Sequence, residues 1–191
     1  GITFKEGGTN FTNSLLVGTN STGTLSSAIN NTGVGFEVFD DLTSGDSNTG
    51  IGASVLTKIT TASNNTAVGK DAMEINTSGA DNTAIGATSM ALNTEGNDNV
   101  ALGSVTLAAN TTGDSNTAIG RNALRDNTTA NDNTAVGYNS LCDNTTGANN
   151  TGVGFSALKL NTTGSCNIAV GHNSLDANTT GASNVAVGRT S

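Results

Sequence analysis

The chain has 191 residues with 25 Gly, no Pro, no Trp, one Tyr, one His and two Cys, and only 12% of its residues are charged and 3% aromatic. So few large side chains exclude the layered aromatic core of an ordinary globular enzyme of this length. A formal net charge of −8 repels phosphate backbones and anionic lipid, so nucleic acid is not an expected partner.

No apolar stretch is long enough to span a bilayer, so no membrane insertion is expected. The start of the chain, Gly1 to Phe4, lacks a basic region followed by an apolar one, and it reads as a soluble chain, mature or a fragment. Two cysteines supply neither a disulfide framework nor four zinc ligands, and no cofactor is expected.

Residues 1–13 form an irregular start or partial repeat, with Phe4 and Phe11 as candidate cap residues. From 14 to 191 the chain repeats itself every 17 residues. The pentapeptide Asn-Thr-Ala/Gly-aliphatic-Gly begins at Asn31, Asn48, Asn65, Asn82, Asn116, Asn133 and Asn150, and variants begin at Asn99, Asn167 and Asn184, with a worn copy at Ser14. An uninterrupted register of this kind predicts one domain, an all-β parallel β-solenoid or β-roll of about eleven turns. At a strand spacing of ~4.8 Å it is a rod about 50 Å long.

Each column of the repeat has its own physical reading. The fourth column is aliphatic throughout: Val34, Ile51, Val68, Ile85, Leu102, Ile119, Val136, Val153, Val170 and Val187. It is taken as core together with the ninth column, which holds Phe39, Leu56, Met73, Met90, Leu107, Leu124, Leu141, Leu158 and Leu175. The fifth column is always glycine, Gly35, Gly52, Gly69, Gly86, Gly103, Gly120, Gly137, Gly154, Gly171 and Gly188, which predicts a bend needing positive φ or lacking room for a Cβ. The Ala/Gly third column is then expected on the outer face as a smooth strip. A rod this slender is under-buried alone, so association through that strip into a homo-oligomer, most simply a trimer, is expected.

The second half of the later units contains Asn-Thr-Thr-Gly or a near copy, at Asn76, Asn110, Asn127, Asn144, Asn161 and Asn178, with Asn93 as a further near copy that is not a sequon. Asn first and Gly fourth suit a type I turn. Because Leu25, Leu42 and Ile59 occupy the same column in earlier copies, these amides are expected to face inward and stack as a ladder, with the opening Asn of each repeat as a second ladder. The same six asparagines head Asn-x-Ser/Thr sequons, so the competing reading is a line of N-linked glycans along one edge.

The sixth column is variable and holds the candidate receptor stripe, Phe36, Arg121, Tyr138, Phe155 and His172, where exposed rings could stack on sugars. A lone histidine in that column has no expected catalytic partner. The acidic pair Asp40 and Asp41 does not recur, and the boundary acids Asp46, Asp81, Asp98, Asp114 and Asp132 alternate between two columns, so neither a glycosidase pair nor a calcium roll is expected. Cys142 and Cys166 fall in different columns and are expected as free thiols.

The motif Asn-Thr-Ala-Val-Gly at 65–69 and 133–137 resembles the tandem repeats of bacteriophage and algal-virus tail-fibre proteins and of trimeric autotransporter adhesin heads. The resemblance implies a left-handed roll, three chains side by side, and display on a cell surface or virion for attachment to a glycan or other host receptor. Both ends fall inside a repeat, as in a segment of a longer fibre. The expected function is therefore a non-catalytic structural and attachment module. The alternatives are a self-assembling extracellular filament, glycosylated or not, and an ice-binding solenoid built on the Thr column.

Overall fold

The computed structural model describes residues 3–6, 10–18 and 24–191. The side chain of Phe4 and all of Asn20, another sequon, lie outside the described residues. The described chain is all β and turn. Its strands are β1 (Thr3–Glu6), β2 (Phe11–Thr12), β3 (Leu15–Gly18), β4 (Ala28–Ile29), β5 (Thr32–Val34), β6 (Thr49–Ile51) and β7 (Thr66–Val68), followed by β8 (Thr83–Ile85), β9 (Val100–Leu102), β10 (Thr117–Ile119), β11 (Thr134–Val136), β12 (Thr151–Val153), β13 (Ile168–Val170) and β14 (Val185–Val187).

Strands β3 and β5 to β14 stack in chain order as one parallel sheet in which each residue pairs with the one 17 positions on, as Thr117 does with Thr134. This is a β-solenoid of ten coils. At its other edge β1 lies antiparallel on β3, pairing Phe4 with Val17. The irregular start thus covers the first coil, and Phe11 is buried inside it.

Strands β5 to β14 are each three residues long because of what ends them. The fifth-column glycines have φ between +122° and +144° from Gly35 to Gly188, a region closed to other residues. From Gly35 to Gly171 they also stand against the next coil: a Cβ on Gly103 would lie 2.7 Å from Thr106 Oγ1 and 2.8 Å from the carbonyl carbon of Gly120. Both reasons foreseen for the glycine column therefore hold together.

The interior differs from the expected one. Every second residue of a strand points to the same face, and here the first and third columns point inward. Ala67, Ala84, Ala101, Ala118, Ala135 and Ala169 are completely buried. The fourth column points out: Val34 is 39% exposed, Ile51 and Ile85 42%, and Ile119 37%, with Val170 and Val187 exposed and Val68, Leu102, Val136 and Val153 half-buried. The assignment of this column to the core is thus corrected, and so is the placing of the Ala/Gly strip outside. The reason is width. The ninth-column side chains Phe39, Leu56, Met73, Met90, Leu107, Leu124, Leu141 and Leu158 are fully buried, and they fill the coil so completely that only a methyl group or a hydrogen fits opposite. At Gly33 an added Cβ would lie 3.0 Å from the Phe39 ring, so the largest core residue faces the smallest partner. Leu175 is only partly buried, packed against the same cluster.

This arrangement has a measurable consequence. In the single chain Ile85→Thr should change stability by no more than about 1 kcal/mol, because the residue is already 42% exposed. Leu107→Ala should cost about 2–5 kcal/mol by opening a cavity. Urea unfolding of the two variants checks the assignment, and equal losses would contradict it.

Candidate functional site

Four surfaces of the rod carry the residues singled out in the sequence: an inner pair of amide ladders, an outer sheet face, the sixth-column edge and the turn edges. The amide ladders come first because they settle which asparagines can reach solvent. In the opening column, Asn99 Oδ1 accepts from the backbone N–H (2.9 Å) and Nδ2 (3.1 Å) of Asn116, and the pattern recurs at Asn48, Asn65, Asn167 and Asn184. In the turn column, Asn93 Nδ2 donates to Asn76 Oδ1 at 2.8 Å, Asn110 to Asn93 at 2.8 Å and Asn161 to Asn144 at 2.8 Å. The two ladders share an acceptor in several coils, as at Gly113, whose carbonyl takes Nδ2 of Asn99 (2.8 Å) and of Asn110 (2.9 Å). Among the described residues no buried side-chain polar atom lacks a partner, as narrow polar interiors require.

The inward ladder expected from the sequence is therefore present, and the glycan reading of the same residues is corrected. Asn76, Asn110, Asn127, Asn144 and Asn161 have no exposed surface. Asn178 is half-buried with Nδ2 committed to Asn161 Oδ1 and the Gly181 carbonyl. An amide nitrogen enclosed by the fold and used in two hydrogen bonds is closed to a transferase acting on the folded protein. The sequons that do face solvent, at Asn10, Asn30, Asn64 and Asn149, do not form a 17-residue line from Asn110 to Asn178.

The outer sheet face consists of the second and fourth columns. Thr32, Thr49, Thr66, Thr83, Thr117, Thr134 and Thr151 stand beside the aliphatic residues of the fourth column, and Val100, Ile168 and Val185 replace Thr in the remaining copies. No charged residue interrupts this face from Thr32 to Val187.

At the sixth column the structure brings together what the sequence only aligned. The rings of Tyr138 and Phe155 stack with centroids 5.4 Å apart and planes 17° from parallel, and Phe155 stacks on His172 at 5.0 Å and 11°. Arg121 and Arg189 occupy the same column one coil before Tyr138 and one coil after His172, and all five residues are exposed. Phe36, 54% exposed, lies several coils away and does not join the stack. Ring faces that cover one another present their edges outward, so the middle of the stripe does not offer the open faces that stacking on a sugar needs. This ring geometry differs from the open ring faces expected of the column. A repeat column populated with aromatics predicts such stacking whenever the rungs are in register, and that signal was present in the spacing of Tyr138, Phe155 and His172.

The turn edges are held by side chains that bond along the axis. Thr94 Oγ1 donates to the Thr111 carbonyl and Thr111 Oγ1 to that of Thr128, both at 3.0 Å. Asp114 Oδ1 accepts from the Asn97 backbone at 2.7 Å, so one boundary acid is committed to the coil below it. Of the acidic pair, Asp41 meets Lys58 at 3.0 Å, while partial burial and the nearby Glu37 and Asp41 raise Asp40 above the usual carboxylate range. Among the described residues no three His, Cys, Asp or Glu side chains are grouped to hold a metal ion.

Cys142 and Cys166 are both free, the first buried and the second exposed. Burial and a hydrogen bond to Asp143 push the Cys142 thiol up to about 12, far from the thiolate form that reacts. A chromogenic disulfide reagent at neutral pH should therefore titrate one thiol quickly in the folded protein and the second only on unfolding. A Cys166→Ser variant should abolish the fast phase.

No protein-family model matches the chain, and no curated protein and no solved structure is significantly similar to it.

Proposed function

We propose that this chain is a non-catalytic rod of an extracellular attachment structure, a viral tail fibre or a surface adhesin, in which three copies pack side by side. The observation that supports assembly is the outer sheet face: an aliphatic column with Ile51, Ile85 and Ile119 at 37–42% exposure, running the length of the sheet beside Thr. Ten coils at ~4.8 Å by a three-residue strand of about 10 Å give roughly 500 Å² per face. A patch of that size on a soluble protein commonly marks a contact surface, and two such faces together bury about the 1,000 Å² that a specific interface requires. The packing surface is thus the Thr/aliphatic face, since the Ala/Gly strip is enclosed. The repeat's resemblance to tail-fibre and adhesin-head sequences supports display outside a cell or on a virion.

Light scattering tests the assembly: the mass of three 18.8 kDa chains is expected, and Ile51→Asp with Ile85→Asp should release single chains that still fold. A wild-type monomer would remove the reading, and open-ended polymers would favour a filament protein. The flat, charge-free pairing of Thr with β-branched residues also favours a second reading, an ice-binding face, which inhibition of ice recrystallisation by the wild type and its loss in the same double variant would support.

A further inference from the structure

We propose that the sixth-column edge from Arg121 to Arg189 is a binding site for an acidic glycan, a chain bearing carboxylate or sulfate groups. This inference rests on the attachment reading above and names the chemistry of what is attached. The site occupies five successive coils, with Arg121, Tyr138, Phe155, His172 and Arg189 in one column about 19 Å long, four steps of ~4.8 Å.

Three observations converge on an anion. The first is the ring geometry. Stacking of Tyr138, Phe155 and His172 at 5.0–5.4 Å uses the electron-rich faces within the stack and leaves the edges, where aromatic rings carry partial positive charge, pointing to solvent. An edge-on array of this kind favours oxygen anions and disfavours the face-to-face contacts that nucleobases and neutral sugars use.

The second is the cation content. Arg121 and Arg189 bracket the rings, and among the described residues neither has an acidic partner. The lysine of the same column in an earlier coil behaves otherwise, since Lys70 is tied to Asp71 at 2.8 Å. A guanidinium offers paired donors that match a carboxylate or sulfate.

The third is the surroundings. Columns two to eight of these five coils, residues 117–123, 134–140, 151–157, 168–174 and 185–191, contain no Asp or Glu, although the chain has 15 acidic residues. In the earlier coils the same columns carry Glu37 and Asp71. An acid-free strip on a chain of net charge −8 is a local opening in a repulsive field. It suits a narrow anionic oligosaccharide better than an extended anionic bilayer or a duplex, which the rest of the rod repels. The neighbouring seventh column adds the half-buried Asn122, Asn139 and Asn173 beside the rings, with Asn122 Nδ2 donating to Asn139 Oδ1 at 3.0 Å.

Isothermal titration of the protein with three probes of equal length tests the proposal: a heparin-derived oligosaccharide, a polygalacturonate oligosaccharide and a dextran. Binding of one or both acidic probes, weakened by added salt, with no binding of dextran, is expected. The first two probes distinguish sulfate from carboxylate. Arg121→Gln with Arg189→Gln should weaken binding at least roughly tenfold, whereas Lys58→Gln with Lys159→Gln, a control of equal charge on another edge, should leave it unchanged. Equal binding of dextran, equal loss in the two double variants, or no binding of either acidic probe overturns the proposal. Light scattering on the same samples separates the two inferences: a trimer that binds no acidic probe removes only the glycan site, and a monomer that binds keeps the site and removes the fibre assembly.

Discussion

Asn116→Leu should lower stability by on the order of 3–5 kcal/mol, more than most single substitutions. The asparagine is fully buried, and its Oδ1 accepts from the backbone N–H of Asn133 at 3.0 Å and from Asn133 Nδ2 at 3.3 Å. Its Nδ2 donates to Asn99 Oδ1 at 3.1 Å and to the Ala130 carbonyl at 2.8 Å. Leucine has similar bulk but leaves the Asn133 donors orphaned in a dry interior, at about 1–3 kcal/mol each. Denaturant titration followed by circular dichroism measures the loss, and a loss below about 1 kcal/mol would mean that the ladder contributes little.

The matching substitution Asn116→Asp adds a pH dependence of defined sign. A carboxylate there faces two acceptors, Asn99 Oδ1 and the Ala130 carbonyl, where the amide had a donor, so burial and repulsion hold its folded pKa above the unfolded value of about 3.9. A group raised in the folded state binds protons more tightly there, so its penalty is full at neutral pH and shrinks as pH falls through the folded pKa. The variant should be least stable relative to wild type at pH 7 and recover some of the difference near pH 4. A pH-independent difference would contradict the placement of the amide.

Gly86→Ala should be comparably damaging, on the order of 4 kcal/mol, for a reason that a second glycine isolates. Gly86 has φ +139° and Gly188 +137°, so alanine meets similar backbone strain at either place, about 1–3 kcal/mol. Their surroundings differ. A Cβ on Gly86 would collide with the carbonyl group of Gly103 and lie 3.0 Å from the Ser104 nitrogen, whereas on Gly188 its nearest neighbours are Ser191 atoms at 3.9 and 4.0 Å. Gly86→Ala must therefore push neighbouring coils away from each other, and Gly188→Ala need not. The difference between their unfolding midpoints measures the close approach of successive coils, and equal midpoints would mean that φ alone fixes strand length within the repeat.

The candidate edge was legible in the sequence as a column and not as a surface. Register placed Arg121, Tyr138, Phe155 and His172 on successive coils. That register already implied that the rings would stack, whereas their near-parallel planes, 17° and 11° apart, and with them the exposure of edges rather than faces, came from the structure. The same limit applies to the sequons. A motif at fixed spacing marks an asparagine without saying which way it points, and at Asn110 and Asn144 the ladder requires it to point inward.

The period of 17, the parallel in-register stacking, the glycine bends, both amide ladders and the Leu/Met column were determined by the sequence itself. They are consequences of translational repetition: identical residues at identical heights must bond or pack with their own copies, whatever the shape of the coil. Which face of each strand lies inside was decided by the tertiary structure, because three-residue strands give only two choices and residue size pointed to the wrong one. Parity held the answer, since an inward Asn in the first column forces Ala in the third inward and Val or Ile in the fourth outward. The ninth-column Leu, packed across the coil, leaves space for that arrangement alone, and so puts the aliphatic column on the surface where other molecules can meet it.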